Sequence, residues 1–249
     1  MRADHPIAFG RRLDATTRRY LGRLADCVAA LPVLLGRYGE GRAYRPILAR
    51  MRNVESDCDG LKLELGRLLT DAAGRDTGGV AEWDHRHTDR MLELYERLDT
   101  IANAAEQFAG ELLAIAPTRR GDCLGGLSRM AEIAVAAMDE LERVVGEFIG
   151  ALIRPDDGGS ITEGVSTIRA LEGEADTVRD EVIEAAFGRE GDGTAVAYRQ
   201  LAVLLDGVLD AMEDVTDRMH LTTGVEGWPE IEIYPDCDYR PLRRDTFPS

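Results

Sequence analysis

Lysine is almost missing from this 249-residue chain. Lys62 stands alone beside 29 arginines, and the 30 basic side chains face 46 acidic ones, for a net charge of −16. A field of that sign repels duplex nucleic acid unless a local basic patch overcomes it. The Arg-Arg pairs at 11–12, 18–19, 119–120 and 243–244 are too scattered to form one. We expect no nucleic-acid partner. Cysteine is sparse as well: Cys27, Cys58, Cys123 and Cys237 lie far apart with no C-x2-C, which argues against a disulfide or zinc framework and makes the cytoplasm the default compartment. Residues 1–12 carry no apolar signal core. No apolar run approaches the roughly 20 residues that span a bilayer, so any place at the inner face of the membrane would be peripheral and through a partner. Aromatic residues make up only 6%. Period-two alternation is confined to Ile231-Glu232-Ile233-Tyr234, which leaves little from which to build a sheet.

What the chain does have is helical periodicity. Hydrophobic content of 44% and charged content of 31% suit a globular protein with a real core. The first apolar stripe spans about 9–37, with Pro32 expected to kink or divide it. The second spans about 42–73, with Pro46 tolerable in its first turn. The third runs from about 80–84 to 115 and is stopped by Pro117. After a link at 119–126 come patterns at about 127–153, 160–187, where Ser160 or Thr162 with Glu163 reads as the N-cap region, and 194–221. From 224 a Pro- and aromatic-rich tail replaces them. The expectation is an all-α, six-helix antiparallel bundle, divided as 1–117, 118–223 and a non-helical tail at 224–249.

The bundle reads as a duplication. Val54-Glu55-Ser56-Asp57-Cys58-Asp59 returns in chemical type as Leu171-Glu172-Gly173-Glu174-Ala175-Asp176, each followed by a basic residue, Lys62 or Arg179. The displacement is 172 − 55 = 117 residues. Downstream, Asp99-x3-Asn103-x2-Glu106-Gln107 returns as Asp206-x3-Asp210-x2-Glu213-Asp214, displaced by 206 − 99 = 107. Two motifs repeated in the same order predict two three-helix repeats.

These motifs are the chemical content of the chain. At 100° per residue, Asp206, Asp210, Glu213 and Asp217 fall within roughly 60° of one helix face, beside the stripe of Leu201, Leu205, Leu209, Met212 and Met219. Glu172 and Asp176 stand the same way beside Ile168, Leu171, Ala175 and Val182. If the last two helices pack together, the five acids Glu172, Asp176, Asp206, Asp210 and Glu213 converge. Carboxylate oxygens in such a set suit Mg²⁺, Ca²⁺, Mn²⁺ or ferric iron. Glu55, Asp59, Asp99 and Glu106 form the weaker counterpart, because Asn103 and Gln107 replace acids. The plain alternative is a solvated face on an acidic protein, with Lys62 and Arg179 serving as i+3 partners worth a few tenths of a kcal/mol.

The string 168–176, taken with Leu205-Asp206 through Asp210-Ala211-Met212-Glu213-Asp214-Val215, resembles the PhoU-like phosphate-transport regulators. It looks closest to their branch of accessory proteins for the low-affinity inorganic phosphate transporter, Pit. The resemblance covers roughly residues 10–221, and its tail lies outside it. It implies two three-helix repeats, with metal ions held by E/D-x3-D motifs: here Glu172 and Asp176 with Asp206, Asp210 and Glu213, and Glu55 and Asp59 with Asp99 and Glu106. It also implies a Pit-type permease at the membrane as partner, and leaves a homo-oligomer open.

Two other classes compete with a non-enzymatic regulator. A carboxylate-bridged di-metal enzyme of the ferritin-like kind uses E-x2-H on two helices; the nearest string is a single Asp217-x2-His220. A metal-free helical scaffold is the other. His85-Arg86-His87 reads as a polar helix start, and no phosphate-loop, dinucleotide or nucleophile-elbow motif occurs. We therefore expect a protein that is not an enzyme.

Overall fold

The computed structural model describes residues 4–73, 85–153, 159–188, 193–223 and 231–232. Within them the chain forms α1 (Asp4–Val28), α2 (Ala30–Gly39), α3 (Arg45–Ala72), α4 (His85–Ile115), α5 (Gly121–Ile153), α6 (Thr162–Phe187) and α7 (Gly193–Thr223). Two short strands, β1 (Gly159–Ser160) and β2 (Ile231–Glu232), pair in parallel and return the start of the tail to the α5–α6 link. The fold is a helical bundle. No described helix is long and apolar enough to cross a membrane.

The first expected helix is divided into α1 and α2 at Ala29, three residues before Pro32. The proline has no N–H to give the Val28 carbonyl, four residues back, and the ladder is interrupted there. Six expected helices are thus seven segments. Two other expectations need correcting. The helix expected from 127 begins at Gly121, because Asp122 occupies its first turn and accepts the Cys123 N–H at 3.0 Å. Gly125-Gly126 looked like the end of a loop, yet Gly126 lies inside α5, where an added Cβ would overlap Val182 of α6. Gly126 serves close helix packing instead of a turn. At α6, Ile161 holds the N-cap position with no side-chain cap, and Ser160 donates to the Thr162 hydroxyl at 3.2 Å.

Contacts between side chains fix the directions of the helices. In α3 and α4, Arg52 meets Glu106 while Lys62 meets Asp99, so rising numbers meet falling ones and the pair is antiparallel. The same logic holds for α6 against α7 through Arg169–Glu213 and Arg179–Asp206. It holds for α5 against α6 through Gly126–Val182 and Gly164–Val144. Between the halves, α4 and α7 run antiparallel, joined by Arg97–Asp214 at 3.4 Å and by Arg218–Glu93. The α1–α2 pair lies along α5, with Gly10 beside Ile153 and Gly39 beside Leu124.

One continuous core runs between these helices, with Tyr20, Tyr95, Tyr198, Phe108 and Phe148 fully buried. Burial of five large aromatic side chains contributes strongly to such a core, and buried tyrosines need partners for their hydroxyls. Tyr95 shares a hydrogen bond of 2.5 Å with Thr17. Tyr198 donates to the Thr118 carbonyl at 3.1 Å and accepts the Arg120 N–H at 3.0 Å. Tyr38 donates to the Pro117 carbonyl from the other side. A tyrosine from each half therefore grips the link that joins them.

Candidate functional site

Antiparallel packing of α3 on α4 brings the E-x3-D-x2-K motif against the D-x3-N-x2-E motif. The contact is made by cations. Lys62 Nζ lies 3.3 Å from Asp59 on its own helix and 2.5 Å from Asp99 on α4. At the other end of the same edge, Arg52 Nε lies 2.9 Å from Glu106. The second half repeats the arrangement. Arg179 bonds Asp176 on its own helix and lies 2.5 Å from Asp206 on α7. At the far end, Arg169 lies 3.5 Å from Glu213 and 2.7 Å from Asp217.

The sequence motifs assign no role to Arg52 or Arg169. Each stands three residues before the motif glutamate and is displaced by the same 169 − 52 = 117 residues as the acids. Extending the repeat upstream by one helical turn would have found them. Each edge is therefore a row of carboxylates closed at both ends by a cation. Lys62 and Arg179 do more than serve as i+3 partners on one helix, since each also reaches the neighbouring helix.

Between those ends the acids sense one another. Burial raises the Glu172 carboxyl above the ordinary glutamate range, and the charges of Asp176, Glu213, Asp210 and Asp206 raise it further. Glu55 is raised in the same way by burial, then by Asp59, Glu106 and Asp99, with Lys62 opposing. Asp210 is raised by burial and by Asp206 and Asp176. All nine sequence-predicted residues thus fall on the two expected edges, Glu55, Asp59, Asp99 and Glu106 on one and Glu172, Asp176, Asp206, Asp210 and Glu213 on the other. Among the described residues, however, no three acidic, thiol or imidazole donors are arranged closely enough to hold one ion as they stand.

The two edges differ at one equivalent position. Asp99 is satisfied: Tyr20 donates to Oδ1 at 3.4 Å, while Lys62 at 2.5 Å and Asn103 at 3.2 Å donate to Oδ2. Asp206 is 5% exposed, and Arg179 reaches its Oδ2 only. Its Oδ1 is buried with no hydrogen-bond partner among the described residues. Burial raises the Asp206 carboxyl despite the opposing bond from Arg179. A buried, unpaired carboxylate oxygen on an edge with four further acids is what a hard cation would satisfy.

Nearby thiols do not extend this donor set. Cys27 and Cys58 are fully buried behind the first edge, and burial, followed by neighbouring charges, pushes both up to about 12. They stay protonated at neutral pH and offer no thiolate. His220 is exposed near the end of α7, and His87 is buried in the first turn of α4. Neither lies among the groups that shift the edge carboxyls.

No family profile and no curated protein matches this sequence. Solved structures do resemble it. A PhoU-like phosphate regulatory protein from Shewanella oneidensis MR-1 superposes with a TM-score of 0.70 at 18% identity, covering 85% of this chain and 99% of that one. A PhoU-like protein from the same organism gives 0.71 at 17% identity, covering 84% and 98%. The likeness is one of fold.

Proposed function

We propose that this chain is a non-catalytic regulator of inorganic phosphate transport. In this reading it docks on a membrane phosphate permease of the Pit type, and its two acidic edges hold divalent or ferric metal ions. The observation that carries the reading is the duplicated, cation-capped carboxylate edge, set in a bundle that shares its fold with a phosphate regulatory protein.

Glu172, Asp176, Asp206, Asp210 and Glu213 would hold the ion of the second half, with Asp206 Oδ1 as its buried donor. Glu55, Asp59, Asp99 and Glu106 would hold the ion of the first half more weakly. Asn103 stands there in place of an acid, and Asp99 already has its partners. When bound, the metal would offset carboxylate repulsion and tie α3 to α4 and α6 to α7. Each of the units 1–117 and 118–223 would then own one edge.

The partner is tested by purifying the tagged protein from cells with the permease intact and deleted, and by measuring phosphate uptake with and without this chain. Specific recovery of the permease, together with altered uptake, is the expected result. Equal recovery of the same membrane proteins from both strains, with unchanged uptake, contradicts the reading.

A further inference from the structure

Lys62 and Arg179 hold the same place in the two repeats. Each projects from the last turn of its E-x3-D-x2-[KR] motif and lies between an aspartate of its own helix and the first aspartate of the next helix's motif. Each is mostly but not wholly covered, with 29% and 25% of the side chain exposed. Both therefore have a short way out to solvent. Each supplies one positive charge where the carboxylates of two helices come together. A lysine or arginine is nevertheless an incomplete counter-ion for a row of acids, because it brings a single positive charge to several carboxylates. Asp206 shows the shortfall directly, since Arg179 serves Oδ2 and leaves the buried Oδ1 without a partner.

We propose that Arg179 and Lys62 are resident counter-ions that hold the metal-free edges together and are expelled when a metal ion enters. This rests on the metal reading above and adds its regulation. The side chain and the ion compete for the same carboxylates, so the threshold for loading is set by the protein's own cation. Loading exchanges a bound cation for one released to the surface on each edge. Arg179, which stays charged and bonds Asp176, Asp180 and Asp206, makes the stronger competitor, while lysine is a point charge on a flexible stem. The second edge compensates with an additional acid, Asp210, where the first has Asn103.

Two measurements test this, with Mn²⁺ and Mg²⁺ as the probes. Free Mn²⁺, read by electron paramagnetic resonance, gives the affinity of wild type, Arg179→Gln and Arg179→Lys. Removing a unit charge within contact distance of the ligands should tighten Mn²⁺ binding by about tenfold or more, given the strength of charge pairs near a protein surface. Arg179→Lys, which keeps the charge but competes less strongly, should fall between wild type and Arg179→Gln. Wild-type binding with no tightening in Arg179→Gln overturns the proposal and leaves the metal reading intact. Failure of wild type and variant alike to bind overturns both.

The second measurement needs no variant. Lys62 is the single lysine, so acylation by an amine-selective reagent, located by peptide mass spectrometry, reports on one side chain. Mg²⁺ should raise its acylation rate several-fold by releasing it from Asp59 and Asp99. An unchanged or slower rate with Mg²⁺ bound overturns the displacement.

Discussion

Asp99 and Asp206 occupy equivalent places in the two repeats, yet their removal should have different consequences in metal-free protein. Asp99→Ala deletes bonds from Lys62, Asn103 and Tyr20. A charge-assisted bond contributes about 1.5–3 kcal/mol, and a stranded buried hydroxyl costs about 1–3 kcal/mol. The Tyr20 bond is long, and Lys62 is partly screened by solvent, so the net loss should be about 2–4 kcal/mol. Asp206→Ala loses only the Arg179 bond, and Arg179 keeps Asp176 and Asp180. Against that loss, the substitution removes a buried carboxylate with an unpaired oxygen, itself a penalty of about 1–3 kcal/mol. The two effects nearly cancel, which leaves Asp206→Ala within about 1 kcal/mol of wild type. Urea unfolding in the presence of a chelator measures both, with unchanged m-values marking a true stability difference. The expected fall in Tm is about 2–4 °C per kcal/mol for a chain of this size. If Asp206→Ala loses as much as Asp99→Ala, Asp206 is not the strained member of the pair and the reasoning fails.

Two more expectations follow from the same geometry. Glu55, Glu172, Asp206 and Asp210 have folded-state pKa values raised above ordinary carboxylate values. In the window just above those ordinary values, the folded state binds more protons than the unfolded one. Their contribution to metal-free stability therefore grows as pH falls through the window and is lost as pH rises. A metal needs the same groups ionised, so the metal-dependent gain in Tm should grow with rising pH. Thermal melts of wild type and Glu172→Gln across that range, with and without Mn²⁺, should show the opposite slopes in wild type and flatter ones in the variant; slopes of one sign would contradict this. In the packing, Gly164→Ala would drive a Cβ into Val144 of α5 and cost about 1–3 kcal/mol, whereas Gly173→Ala, on open surface, should gain up to about 1 kcal/mol from helix propensity. Equal melting temperatures for the two variants would contradict the close α5–α6 approach.

The helices were legible because apolar residues recur at helical spacing, and the α1–α2 division was legible because Pro32 lacks a backbone donor. The start of α5 was not. Gly125-Gly126 carries the composition of a loop, and only the approach of Val182 from another helix explains why glycine stands inside one. The acids were visible through their repetition. Their cations were only half visible, since an i+3 spacing accounts for Lys62–Asp59 and Arg179–Asp176 without any reference to a second helix. Reaching Asp99 and Asp206 depends on the register of α3 on α4 and of α6 on α7, which is set by core packing and not by the motif itself. The unpaired Asp206 Oδ1 depends on three-dimensional burial and has no sequence signature.

The most direct measurement is metal content. Wild type and Asp210→Asn, with exposed Glu184→Gln on α6 as the control, are loaded with Mn²⁺, dialysed and analysed for metal per chain and for Tm. The account predicts retained metal and a raised Tm in wild type and in Glu184→Gln, since an ion that binds only the folded state stabilises it. Asp210→Asn should lose metal from the second edge and, with it, most of the rise in Tm. Identical metal content and melting shift in all three proteins would contradict the assignment of these carboxylates as a metal site.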